Sequence, residues 1–297
     1  MHDSHVHIAM SPLKENIQSD IEEFTQLGGK KILAQTTDIS DYQETIDMVD
    51  KLEKEFPDIL DLGLGLHPSR FEDAMAKNNL QDLDIFKYAQ KQIDIYEEYF
   101  NSNIKKIDAI GECGLDYYGM YEYFQFDKDE IEQLKEVQRR TFRKLCKLSV
   151  EHNLPMSIHS RSLIDDDSCT KDALSILAKE GKGIIRGSFH SYTGSLKMLE
   201  KVLDLGMYVG FNAIITYPSG DNVREILQNT PIDRILFETD GPFLPTQSVR
   251  KNKKSTKRYG RPALIKEVIQ TTAEIKGTSY ERIEKLSDES YLTLFSK

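Results

Sequence analysis

A chain of 297 residues with a formal net charge of −10 can bury one large core, and single α/β barrels reach about 250 residues. One domain over residues 1–297 is therefore the expectation, and the acidic balance excludes a general nucleic-acid coat protein while leaving room for a local basic patch. No stretch approaches the ~20 apolar residues of a membrane span, and Cys113, Cys146 and Cys169, widely spaced, suit reduced thiols better than a disulfide framework. With no basic and apolar leader in the opening residues, a cytoplasmic protein is expected, without an obligate protein partner.

Met1-His2-Asp3-Ser4-His5-Val6-His7 places Asp3, His5 and His7 on one face of an extended strand. Two imidazoles and a carboxylate make a poor packing surface but suit Zn²⁺ and similar ions. A solvated terminal strand is the other reading at this point. Asn16 to Leu27 has helical spacing, and Lys31 to Gln35 reads as a buried strand. Ser40 is expected to cap a helix stopped by Pro57. Ile59 to Leu66 follows as a third strand leading to His67. One aromatic helix is expected from Leu80 to Asn103, then a strand from Lys106 to Gly111 running into Glu112. A tyrosine-rich loop and a long helix, Asp129 to His152, come next. Further strands are expected at Pro155–His159, Ile184–His190, Met207–Asn212 and Arg234–Asp240, with helices between them and over most of Arg261 to Phe295.

Eight strand–helix alternations without an internal linker predict a parallel α/β sheet closed into a (β/α)8 TIM barrel. A doubly wound open sheet is the rival. It would carry a glycine-rich phosphate turn after the first strand, where histidines stand instead.

The chemistry gathers at the strand exits, where barrel enzymes keep their sites. His5 and His7 follow strand one, His67 strand three, Glu112 strand four, His159 strand five, His190 strand six and Asp240 strand eight. A lone strand-end histidine is commonly structural, but four histidines and two carboxylates converging on one mouth read as a metal site. Six ligands exceed the needs of one tetrahedral ion. Two divalent ions roughly 3.5–4 Å apart, sharing a carboxylate, account for them, and such a pair activates water for hydrolysis. Asp3 then falls back to orienting a ligand or closing the first strand. His152, at a helix C-terminus, and His2, expected to be exposed, have no role.

Several segments resemble the successive motifs of the TatD deoxyribonucleases: Asp3-Ser4-His5-Val6-His7, Gly111-Glu112-Cys113-Gly114-Leu115-Asp116-Tyr117-Tyr118, His159-Ser160-Arg161, Phe189-His190-Ser191-Tyr192-Thr193-Gly194-Ser195 and Glu238-Thr239-Asp240-Gly241-Pro242-Phe243-Leu244. Cys113 and Ser191-Tyr192-Thr193 depart from the commonest family residues, without touching an expected ligand. The resemblance implies a divalent-metal nuclease, with His5, His7, Glu112 and Asp240 around one ion, His159 and His190 on the second, and Glu112 bridging. Mg²⁺, Mn²⁺ and Zn²⁺ are the candidate ions, DNA is the expected partner, and 3′–5′ trimming of single-stranded or damaged DNA is the expected mode. Glu112 and Asp240 would be the catalytic carboxylates, Asp240 orienting the metal-activated water and taking its proton.

Substrate contacts are expected from Arg161, His67, Tyr117, Lys253 and Lys254. Arg161 suits phosphate geometry, or equally a salt bridge to a carboxylate such as Asp116. The run from Arg250 to Arg261 holds basic residues and no acidic one; it reads as a solvated loop or as a contact to the nucleic-acid backbone. Tyr117, Tyr118, Tyr121, Tyr123 and Phe124 would stack bases or, more simply, pack over the barrel rim. Two rival functions are an amidohydrolase or esterase of this barrel type, including one acting on an aminoacyl ester of tRNA, and a non-catalytic metal-binding protein. An ester and amide panel set against DNA separates the first. Metal-dependent melting without turnover would mark the second.

Overall fold

The computed structural model describes residues 1–77, 84–124 and 126–296. Its centre is a sheet of β1 (His2–Val6), β2 (Lys31–Gln35), β3 (Leu60–Leu64), β4 (Ile107–Asp116), β5 (Met156–Arg161), β6 (Gly187–Phe189), β7 (Tyr208–Phe211) and β8 (Ile235–Phe237). The strands lie in sequence order and each runs parallel to the next. At the seam, Val6 bridges Gly241, the His7 amide donates to Gly241 O at 2.7 Å, and the Asp240 amide donates to His5 O at 3.0 Å. A doubly wound sheet reverses its order at a switch point; this one never does. The architecture is a (β/α)8 barrel.

The helices around it bury one stripe each. In α1 (Leu13–Gln26) the stripe is Leu13, Ile17, Ile21 and Phe24, and in α6 (Lys128–His152) it includes Leu134, Val137, Thr141, Leu145 and Leu148. Asp127 starts α6 with a capping box to Glu130. Among the described residues no helix is long and apolar enough to cross a membrane. All three cysteines are free and buried.

Several elements differ from their sequence reading. Asp38, rather than Ser40, caps α2 (Ile39–Leu52), accepting the Ser40 amide. A helix missed from sequence, α3 (Ser69–Lys77), precedes α4 (Ile85–Asn103), and a short helix, α5 (Gly119–Glu122), follows β4. The expected start of the aromatic helix at Leu80 lies outside the described residues. β6 and β8 are shorter than expected, so Glu238 and Asp240 stand beyond the last strand. His2 is not exposed: its Nδ1 lies 2.6 Å from Asp288 Oδ1 and its ring stacks on Tyr291.

β4 differs most. It continues past Gly111 to Asp116, because after a register shift between Ile110 and Cys113 its residues pair again with β5, Gly114 opposite His159 and Asp116 opposite Arg161. Glu112 thus sits within the strand, at the irregularity. Two glycines permit this crowding. A Cβ on Gly65 would collide with the Glu112 carbonyl, and Gly114, at φ +138°, lies against the carbonyl of His159.

Candidate metal centre

Glu112 is the hub of the barrel mouth. Its Oε2 faces His5 Nε2 at 3.4 Å and His7 Nε2 at 3.5 Å. Its Oε1 faces His159 Nδ1 at 2.9 Å, His190 Nε2 at 3.3 Å and His67 Nε2 at 3.4 Å. His5 Nε2 and His7 Nε2 are 3.2 Å apart, and Asp240 Oδ1 lies 3.4 Å from His7 Nε2. Ligand atoms around an ion bonded at about 2.1 Å sit roughly 3.4 Å from one another. The donor set therefore fits metal ions: the six residues expected as ligands converge, with one carboxylate oxygen turned to each group of imidazoles.

The outer partners orient these rings. His5 Nδ1 meets Ser157 Oγ at 3.0 Å, His159 Nε2 meets Asp116 Oδ2 at 3.0 Å, and His190 Nδ1 lies 3.1 Å from Glu238 Oε1. Each leaves the other ring nitrogen facing Glu112, the arrangement metal-binding histidines adopt. His67 differs. The Ser69 amide donates to its Nδ1 at 3.2 Å, so the neutral ring carries its proton on Nε2, toward Glu112. Although His67 groups with Glu112 and His159 within ligand distance, that tautomer makes it a hydrogen-bond donor. Asp3 ties the first strand to the segment after the last, its Oδ2 accepting from Thr239 Oγ1 at 2.6 Å, one residue before Asp240.

The electrostatics match a site built for cations. Burial would raise the Glu112 carboxyl, but His67, His5 and His190 together with the His159 hydrogen bond hold it well below the usual range. Burial also opposes ionisation of Asp240, and the His7 hydrogen bond together with the charges of His190, His5 and His7 outweighs it. Burial and His190 bring His5 down to about 4. Against their own burial, His159 is pushed up to about 10 by Asp116 and Glu112, and His190 to about 9, chiefly by Glu238 and Glu112.

A pH dependence follows from these two rings. An unfolded histidine titrates near about 6.5, so the stabilisation from protonated His159 and His190 is complete below that pH. It is lost as pH rises through about 9 and about 10. Metal ligation needs neutral imidazole, so ion binding should expel these protons and tighten as pH rises. Calorimetry at pH 7.5 in buffers of different ionisation enthalpy is expected to show about one or two protons released. Buffer-independent heats would remove both rings from the ligand set.

One support was not legible as such. Gln138 is fully buried on the inner stripe of α6. Its Oε1 accepts the Asp116 amide at 2.9 Å, while its Nε2 donates to Asp116 O at 3.0 Å and to Glu72 Oε1 at 3.0 Å. Burial, then the charge of Asp116, pushes Glu72 up to about 8. Gln138→Leu strands these buried groups and should cost about 2–4 kcal/mol, read as a lower denaturant midpoint at constant m-value.

The comparisons with known proteins agree with this geometry. The model of the TatD related DNases matches residues 2–296. The chain belongs to that family. A Bacillus subtilis relative, the uncharacterized metal-dependent hydrolase YabD, is 27% identical over 293 residues, covering 99% of this chain and 98% of its own. A putative deoxyribonuclease, the TATDN1 homolog of Enterocytozoon bieneusi, is 32% identical over 204 residues, 68% of this chain and 62% of its own. In fold the chain resembles the crystal structure of YjjV, a TatD homolog from Escherichia coli K12, with a TM-score of 0.74 at 21% identity, covering 100% of this chain and 98% of that one. At that identity the likeness speaks for the fold alone. This TatD-family chain is a metal-dependent hydrolase.

The expected substrate contacts of this TatD barrel divide. Arg161 lines the mouth without the salt bridge to Asp116, which His159 occupies; its guanidinium lies 4.0 Å from the Tyr118 ring and bonds Tyr123 Oη at 3.3 Å. His67 lines it as well. Tyr117 does not: it is buried, its hydroxyl donating to Asp172 at 2.8 Å, and Tyr118 and Tyr123 stand at the mouth instead. Lys253 and Lys254 are exposed but do not line the mouth. Their segment is fastened beside the metal loop, for the Gly260 amide donates to Pro242 O at 2.9 Å and Lys257 pairs with Asp20 at 2.6 Å. The run is an anchored arm.

Proposed function

We propose that the chain is a nuclease using two divalent ions, Mg²⁺, Mn²⁺ or Zn²⁺, to hydrolyse DNA phosphodiesters, trimming single-stranded or damaged DNA from the 3′ end in the cytoplasm. One observation carries the two-ion reading: Glu112 turns Oε2 to His5 and His7 and Oε1 to His159 and His190. His5, His7, Glu112 and Asp240 would hold one ion, and His159, His190 and Glu112 the other. The ions, when bound, acidify the attacking water and offset charge on the phosphoryl oxygens.

The chain's own groups do the rest. Asp240, kept ionised by His7, His190 and His5 together, orients the water and accepts its proton. Arg161, held over the Tyr118 ring, offers a planar donor fork to a phosphate oxygen. His67 presents its Nε2 proton at the same mouth. Lys253 and Lys254 meet the backbone of a longer strand by charge alone. Tyr117 keeps only its packing role. The 3′–5′ mode and the choice of DNA stand on the family resemblance.

End-labelled single- and double-stranded DNA, digested with each ion in turn, tests this reading. A ladder shortening from the 3′ end is expected, faster on single strands. Intact DNA with every ion, or an Asp240→Asn variant indistinguishable from the parent, would overturn it.

A further inference from the structure

Two clefts meet at the metal centre, and they differ in chemistry. One runs toward β2 and β3, past Asp38, Arg70, Asp73 and Asp116. The other, about 390 Å³, runs toward the β5 and β6 loops, and apart from Asp240 no carboxylate lines it. Its walls are apolar, from Phe243, Leu244, Ile164 and Ile214, with Ser162 and Thr193 supplying hydroxyls. Arg161 and Phe243 line both clefts and so mark the waist between them.

The apolar wall is not core. Phe243 is 50% exposed and Ile164 is 91% exposed, in a chain whose other phenylalanines are mostly buried. Exposed apolar side chains gathered beside a catalytic centre mark a binding surface. Phe243 is a fixed platform: its amide donates to Asp240 O at 2.8 Å, and its ring stands edge-on to His7 with centroids 6.0 Å apart. A face left open next to a site for phosphodiesters suits a flat, uncharged aromatic group attached to that phosphate.

We propose that this second cleft is a nucleoside subsite, in which the base next to the scissile phosphate leaves its stack and lies on Phe243. The inference rests on the nuclease reading and adds what holds the substrate. Arg161 grips the phosphate at the waist. The sugar passes Ser162 and Thr193, and the base meets Phe243 and Ile164. A nucleoside is neutral between its phosphates, so the carboxylate-poor cleft receives it. In the rival cleft Asp38 pairs with Arg70 at 3.4 Å and Asp116 with His159 at 3.0 Å, and Asp73 on its wall disfavours the next phosphate. A paired base keeps its partner and cannot enter, which makes unpaired ends the preferred substrate of this subsite.

A double-mutant cycle tests it, with removal of the base and removal of the phenyl group as its two arms. The probes are a single-stranded oligonucleotide and one of equal length made wholly of abasic tetrahydrofuran nucleotides. Phe243→Ala is expected to lower kcat/KM on the first by between about fivefold and about a hundredfold, the range of base–aromatic stacking. On the abasic strand its cost should shrink to less than about twofold, since the contact is already missing. Phe243→Trp should keep the parent's preference for bases, which separates loss of stacking from loss of the loop. An equal cost on both strands would show that the phenyl group only holds the metal loop, and no cost on either would show an idle side chain; each overturns the subsite. If the parent enzyme cleaves neither strand with any ion, the nuclease reading itself fails and the subsite falls with it.

Discussion

Glu112→Gln should lose both hydrolysis and the thermal shift that divalent ions confer. The substitution keeps the shape of the side chain but replaces one of two anionic oxygens with an NH₂ group. Oε2 serves His5 and His7, and Oε1 serves His159 and His190. Whichever way the amide turns, one group of imidazoles then faces a donor where an ion needs an acceptor. An ion that stabilises a transition state by several kcal/mol is lost with its ligand, so activity should fall on the order of a thousandfold or more. The parent protein, at an ion concentration about a hundred times Kd, gains about 2.7 kcal/mol from binding. Chelation of the parent should remove that gain. Melting curves with and without Mn²⁺ or Zn²⁺ read it directly: the parent's midpoint should rise and the variant's should stay. A variant that keeps the full shift would show that Glu112 ligates nothing.

The barrel and most of its mouth were legible because both follow simple periods. Strand–helix alternation implies a parallel sheet, and His5 and His7 alternate on one face of a strand whose end is the catalytic end. Glu112 was legible as a residue but not as a position, because the register shift that turns it inward belongs to the pairing of β4 with β5. The same pairing hid Asp116. Had β4 ended at Gly111, Asp116 would lie in a loop within reach of Arg161; with β4 running on, it meets His159 instead. The tyrosine run failed for a related reason. Which of Tyr117, Tyr118 and Tyr123 reaches the mouth depends on where the strand stops, and Tyr117 turns inward to Asp172. α3 is only nine residues long, and the charged residues at 70, 72 and 73 masked a helix that buries Phe71, Ala74 and Met75. Gln138 did leave a signal: a glutamine on the buried stripe of α6, between Leu134 and Thr141. A buried amide there needs partners, and asking for them leads to Asp116.

Asp240→Asn should separate catalysis from metal binding, which Glu112→Gln cannot do. The backbone at Asp240 lies at φ +54°, a left-handed conformation that asparagine tolerates as well as aspartate does, so the loop should keep its shape. An amide oxygen still faces His7, where the carboxylate Oδ1 stands at 3.4 Å. It can fill an ion's coordination position. It cannot take a proton from water, because an amide has no basicity near neutral pH. Against its burial, the His7 hydrogen bond and the neighbouring His190 and His5 hold the Asp240 carboxyl below its ordinary range, so it is ionised and available as a base at pH 7. Removing a general base typically costs about a hundredfold to ten-thousandfold, and kcat should fall by that amount with KM little changed. The ion-dependent thermal shift should survive, in contrast to Glu112→Gln. Loss of the shift together with activity would make Asp240 a ligand and nothing more, and the proton would then need another acceptor at the mouth. His67 is poorly placed for that task, since the Ser69 amide already engages its Nδ1 and leaves a proton on Nε2.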